Sequence, residues 1–293
     1  MPRKLISFDW AMKKILRQKA NFVILEGFLS ELLKFDVQII EILESEANQE
    51  EESDKFNRVD LLAKDEKENL ILVEIQYNYE IDYFQRMLYG ASKLITQYMS
   101  KGRGYAKVKK VYSINIVYFA LGQGDDYVYH GKTEFRGLHT NDILAPSEIQ
   151  KKDFKIEKIS DIYPEYYILR INQFNDIAKN TLDEWIYFLK NEEIESNFKA
   201  KGLNEAKDTL DVLKLKPEER AIYERKLENQ RYKESLLYTA EKKGREKGRE
   251  EGREEGREEK ALEIAKKSLE KGLDIETIEM ITGLSREEIE KLR

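Results

Sequence analysis

No cysteine occurs among the 293 residues, which excludes disulfides, thiolate-ligated zinc, iron–sulfur clusters and a cysteine nucleophile, and fits a reducing compartment. Histidine is almost as scarce: with only His130 and His139, a metal centre built from several imidazoles is excluded as well. Long apolar runs are missing too. The longest uncharged stretch, Val111–Gly124, has fourteen residues, short of the roughly 20 that a membrane-spanning helix needs. The opening Met1-Pro2-Arg3-Lys4-Leu5 meets charge again at Asp9, so the sequence predicts no signal peptide, no membrane partner and a cytoplasmic location. A strong net charge is also absent, because 51 basic and 57 acidic residues leave −6 and name no partner. A glycine-rich phosphate loop is not formed around Gly131-Lys132-Thr133, since the position that needs glycine holds Asp126.

What is present is an uneven distribution of charge. Between Glu41 and Asp54 seven of fourteen residues are acidic, as in a polar loop. From Tyr83 to Gly124 there is no acid in 42 residues, while Arg86, Lys93, Lys101, Arg103, Lys107, Lys109 and Lys110 add seven positive charges. A basic island in an acidic chain is a candidate surface for a polyanion.

Hydrophobic periodicity predicts a helix after Asp9 through Trp10 and Leu16, with Asp9 as its cap, and an amphipathic helix over 22–34. Strands follow near 37–43, 56–64 and 69–77, the last two flanking the polar turn Asp65-Glu66-Lys67-Glu68. A helix is predicted over 81–101, then strands over 111–120 and 127–135, and mainly helix after Pro164. The order helix, three strands, helix, strand points to an α/β core with a mixed sheet and an all-α C-terminal extension.

The hairpin carries the chemistry. Antiparallel pairing about Lys67 makes partner numbers sum to 134, so Asp60 faces Glu74 and Arg58 faces Gln76, with Val59, Leu61, Val73 and Ile75 on the opposite, apolar face. Two carboxylates directly opposite repel each other. A cation between them removes that cost, and two carboxylates plus waters and phosphate oxygens are how Mg²⁺ is usually held. Asp9 and Glu26, on the first two helices, are secondary candidates, with capping or a solvated face as their simpler role.

Taken in order, these features resemble the PD-(D/E)XK nuclease family transposases, the recombination-promoting nucleases of the Rpn-like kind. The likeness runs from Phe8-Asp9-Trp10-Ala11-Met12-Lys13-Lys14 through Val59-Asp60, Glu74-Ile75-Gln76 and the Tyr/Arg-rich helix from Tyr83. It continues through Ile162-Tyr163-Pro164, Leu182-Asp183-Glu184-Trp185, the Gly-Arg-Glu repeat and Ile281-Thr282-Gly283-Leu284-Ser285. The resemblance implies a restriction-endonuclease-like core that cuts DNA with Mg²⁺. Asp60 and Glu74 match the two metal-binding acids of the family, Gln76 occupies the lysine position, and Arg58-Val59 replaces the Pro-Asp opening. Glutamine cannot supply the cation that lysine supplies, but it can orient a water by hydrogen bonds.

The expected organisation is a nuclease core over 1–160, a helical extension packed on it over 161–243, a Gly-Arg-Glu helix or spacer over 244–260 and a small helical module over 261–293. In the repeat, Glu–Arg pairs at i,i+3 contribute a few tenths of a kcal/mol each. Four glycines cost about 1 kcal/mol apiece, which favours a fraying helix or spacer. Residues 261–293 hold six basic and eight acidic residues, which favours a protein-contact or capping module there over a DNA-reading helix-turn-helix. These helices are also a candidate surface for homo-oligomers. The expected function is Mg²⁺-dependent cleavage of DNA, with Arg86, Lys93, Lys101, Arg103, Lys107, Lys109 and Lys110 gripping the phosphate backbone. The rival is a weak or inactive nuclease-fold protein that serves as a DNA-binding or assembly module.

Overall fold

The structure, a computed structural model, describes residues 5–14, 16–43, 60–99 and 104–292. Most of the acidic stretch after Glu41, the first half of the strand predicted over 56–64, and Arg58, Lys101 and Arg103 lie outside the described residues. The chain divides into two compact units, Met1–Lys216 and Pro217–Arg293.

Among the described residues the first unit is built on six strands: β1 (Ile39–Leu43), β2 (Leu61–Asp65), β3 (Leu70–Gln76), β4 (Val111–Val117), β5 (Val128–Gly131) and β6 (Glu165–Arg170). They form one mixed sheet in the order β1-β2-β3-β4-β6-β5. The β1–β2, β2–β3 and β5–β6 pairs are antiparallel, while β3–β4 and β4–β6 are parallel. The helices of this unit are α1 (Phe8–Lys14), α2 (Phe22–Leu33), α3 (Tyr83–Tyr98), α4 (Glu148–Phe154), α5 (Thr181–Asn191) and α6 (Leu203–Thr209).

Strand β6 corrects the expectation that helix takes over after Pro164. Its residues Tyr166, Tyr167, Ile168 and Leu169 are aromatic, β-branched or apolar, and they pair in register with Ser113–Ile116 of β4. Proline at the residue before the strand costs no ladder hydrogen bond.

Two packing events fix α1 and α3 against the rest of the unit. On one face α3 lays Ala91 and Leu94 against Leu62, Leu70, Leu72 and Val111 of the sheet, and Tyr83 and Met87 against Val117 and Leu121. Elsewhere Phe8 of α1 makes edge contacts with Phe28 of α2 and with Trp185 and Phe188 of α5, at centroid distances of 5.5, 6.0 and 6.1 Å. That aromatic cluster buries the first turn of α1.

The second unit is α7 (Pro217–Glu270), α8 (Ile275–Thr282) and α9 (Arg286–Glu290). The Gly-Arg-Glu repeat lies inside α7 as regular helix, with Lys247 and Glu251 paired at 3.4 Å. The glycines are carried by 54 continuous helical residues, so each extends a helix already nucleated rather than starting one. Ala265, Ile278 and Ile289 pack α7, α8 and α9 together. Gly283 takes a left-handed φ of 73° between the last two helices, and Ser285 closes a capping box with Glu288.

Candidate active site

The hairpin adopts the register expected of its turn: Leu61 pairs with Val73, Leu62 with Leu72, Ala63 with Ile71 and Lys64 with Leu70. One step beyond, that register sets Asp60 beside Glu74. The backbone N–H of Ile75 donates to Asp60 Oδ2 at 2.7 Å, which fixes the carboxylate at the end of the ladder. Glu74 sits mid-sheet, paired with Asn115 of β4, and is only 9% exposed. Both line a pocket of about 260 Å³ together with Asp9, Ile75, Gln76, Tyr77, Asn78, Tyr83 and Arg86.

Asp9 corrects one expectation. The helix begins at Phe8, so Asp9 lies within its first turn rather than at the cap. The aromatic packing of Phe8 beside it turns the carboxylate into the pocket, where Asp9 is 5% exposed. Glu26 is placed elsewhere: its Oε1 accepts from the N–H of Ile39 at 2.8 Å and fastens the start of β1.

Glu80 joins the site although no sequence motif marks it. It lies in the connection to α3, with only its spacing of four from Gln76 and six from Arg86 as a signal. Gln76 Nε2 donates to Glu80 Oε1 at 2.5 Å, and one terminal nitrogen of Arg86 donates to both Glu80 oxygens at 2.9 and 3.0 Å. Arg86 Nε is 4.0 Å from Glu74 Oε2. The expectation of Arg86 as an outer phosphate grip changes accordingly, because its guanidinium lines the pocket.

The other basic residues divide. Lys110 is committed to structure, donating to the carbonyls of Ser160 and Tyr163 and to Glu165 at 2.6, 2.7 and 2.8 Å. Lys109 pairs with Glu68 at 2.8 Å. Lys107 is exposed and Lys93 half-buried on α3. Thus much of the positive charge that the sequence displays as one island is spent on local ion pairs.

Burial pushes the Glu74 carboxyl from 4.5 up to about 7; the Arg86 guanidinium opposes the rise, and the Asp60 and Glu80 carboxylates add to it. Between those two values the folded protein holds a proton on Glu74 that the unfolded chain has released. Stability of the metal-free protein is therefore expected to fall as pH rises from 4.5 to about 7, and the loss is complete above that range. In thermal melts across this range, Glu74→Gln is expected to gain steadily on the wild type. A constant difference between the two would contradict the assignment.

The donor chemistry fits a hard divalent cation. Asp60 and Glu74 present oxygen ligands, and a positive charge between them offsets both the burial and the repulsion that raise the Glu74 pKa. Among the described residues no three acidic or histidine side chains are grouped to hold a metal by themselves. Waters and phosphate oxygens would have to complete the coordination, as is usual for Mg²⁺. Among the described residues, no helix is long and apolar enough to cross a membrane.

Comparison with known families gives two matches. Residues 6–240 match the model of the PD-(D/E)XK nuclease family transposase, and residues 258–293 match that of the Rpn/YhgA-like nuclease family, C-terminal HTH domain. The second match favours the helix-turn-helix alternative for the C-terminus over the protein-contact module that the charge count favoured. No curated protein and no solved structure matches the chain.

Proposed function

The chain belongs to the PD-(D/E)XK nuclease family transposases, and from that premise we propose that it is a Mg²⁺-dependent DNA endonuclease whose phosphodiester cleavage takes place in the pocket of Asp60, Glu74 and Gln76. The observation that carries the reading is the pairing of Asp60 with a buried, strongly desolvated Glu74 at the head of the central hairpin. A fold built for stability alone gains nothing from two adjacent carboxylates there.

Asp60 and Glu74 would hold the ion. Mg²⁺ bound there would polarise the scissile phosphate and lower the pKa of an attacking water. Gln76, with its Nε2 end held by Glu80, would use its carbonyl oxygen to orient that water. Asp9 adds negative potential at the pocket wall and so strengthens cation binding. Lys93 and Lys107 would hold the backbone without reading sequence, and the C-terminal helix-turn-helix would give the protein a second DNA contact. The C-terminal helices also remain the proposed route to homo-oligomers.

A second reading is favoured by one residue. With Gln76 in place of a cation, a nuclease fold retained as a DNA-binding or assembly module is the alternative. Nicking of supercoiled plasmid separates the two readings. Gln76→Lys bears on the same point: its new ammonium would meet Glu80 rather than open solvent. Nicking is expected to be preserved or raised by up to roughly tenfold. Complete loss in a folded variant would show that the amide makes a contact lysine cannot reproduce.

A further inference from the structure

Hydrolysis of a phosphodiester needs positive charge near the phosphate as well as a nucleophile. Water bonds to phosphorus, the P–O bond to one sugar oxygen breaks, and a water proton ends on that oxygen, leaving a phosphate monoester and a hydroxyl. Negative charge builds on the phosphoryl oxygens and the leaving oxygen along the way. The pocket walls are poor in the charge needed to meet it. Of the residues that line it, Asp9, Asp60 and Glu74 are acidic, and among the described residues of that lining Arg86 is the one cation.

Arg86 is also held as a working group rather than as a surface side chain. It follows Tyr83 by three residues on α3, and the Tyr83 ring is fully buried, so the helix cannot rotate to carry Arg86 away. Glu80 takes one terminal nitrogen with both oxygens at 2.9 and 3.0 Å. The Nε atom is buried and has no hydrogen-bond partner among the described residues, its approach to Glu74 being 4.0 Å. A guanidinium has five N–H donors and does not lose its proton in proteins. One carboxylate occupies part of that capacity and leaves the charge facing the carboxylates of the pocket.

Resting on the site proposed above, we infer that Arg86 is the cation that meets the scissile phosphate in the transition state, and that Glu80 is the positioning residue that holds both Arg86 and Gln76 for it. The charge that position 76 lacks is thereby supplied from α3.

The test compares the full-length wild type with Arg86→Gln, Arg86→Lys, Gln76→Lys, the double variant Arg86→Gln/Gln76→Lys, and Asp60→Asn as a control on the site itself. Plasmid nicking is measured alongside duplex affinity without metal. Arg86→Gln is expected to lower nicking by about 10²-fold, the cost of losing one donor aimed at developing charge. Its metal-free duplex affinity should stay within about threefold of the wild type, because the contact is made in the transition state. The double variant should recover at least about tenfold of the lost rate, since a cation returns to the same pocket. Arg86→Lys should fall between the wild type and Arg86→Gln.

Three results overturn the inference. Arg86→Gln nicking at the wild-type rate while Asp60→Asn is inactive would leave the site standing and remove Arg86 from it. A parallel fall of nicking and affinity with no rescue in the double variant would make Arg86 a ground-state grip. Asp60→Asn nicking at the wild-type rate would remove the site and the inference with it.

Discussion

Replacing Asp60 by Asn, or Glu74 by Gln, is expected to lower Mg²⁺-dependent nicking on the order of 10³-fold while the protein stays folded. The two changes keep size and shape and remove only charge. Asn at position 60 can still accept the Ile75 N–H that binds Asp60 Oδ2 at 2.7 Å, so the head of the hairpin keeps its bond. At position 74, losing the charge relieves a carboxylate whose burial and neighbours push its pKa to about 7. Above that pH the metal-free Glu74→Gln variant should melt higher than the wild type. Activity and stability are thus expected to move in opposite directions, which mere damage to the fold does not produce. A variant that nicks plasmid at the wild-type rate would remove its residue from the site.

Gly27→Ala is expected to destabilise the first unit strongly. A Cβ at Gly27 of α2 would lie 2.2 Å from the carbonyl oxygen of Lys201, 2.6 Å from its carbon and 2.8 Å from the Cα of Gly202. All three are backbone atoms, so no rotamer change relieves the clash. The carbonyl is held in turn by the indole N–H of Trp185 at 3.1 Å, within the aromatic cluster around Phe8. Gly202 has a φ of 82°, a left-handed value that further fixes the path of the chain there. We expect a loss of about 3 kcal/mol, which for a unit of this size lowers the melting temperature by roughly 6–12 °C. Gly104→Ala, where a Cβ meets nothing within 4 Å, is the control and should change stability by less than about 0.5 kcal/mol. Melting of Gly27→Ala together with the wild type would show that α2 and the Lys201–Gly202 segment do not approach this closely.

Local pattern made the hairpin legible. Antiparallel pairing about the turn Asp65-Glu66-Lys67-Glu68 determines which residues face each other, and the pairing of Leu61 with Val73 has that register. The helix after Tyr83 was legible for the same reason, because Tyr83, Met87, Ala91 and Leu94 recur at helical spacing and are buried. Features set by distant contacts were not legible. Asp9 reads as a helix cap until Phe8 is seen against Phe28, Trp185 and Phe188. Lys110 reads as one more surface charge until the Ser160–Glu165 segment folds over it, 50 to 55 residues away. Strand β6 hides behind Pro164 in a helix-rich stretch, and its partner β4 lies some fifty residues earlier. Glu80 carries no pattern at all, and its place between Gln76 and Arg86 depends on how the chain turns from β3 into α3. At the C-terminus, counting charges pointed away from DNA, whereas residues 258–293 match a helix-turn-helix domain, and there the short helices pack around Ala265, Ile278 and Ile289.

The most direct measurement is nicking of supercoiled plasmid by the full-length protein, with Mg²⁺ and with the ion removed by EDTA, run beside Asp60→Asn. A metal-dependent nuclease site at Asp60 and Glu74 requires nicked and linear products with Mg²⁺, none with EDTA, and a rate lowered on the order of 10³-fold in the variant with Mg²⁺. Nicking that persists in EDTA, or a wild-type protein that binds duplex but leaves plasmid intact with Mg²⁺, would contradict it.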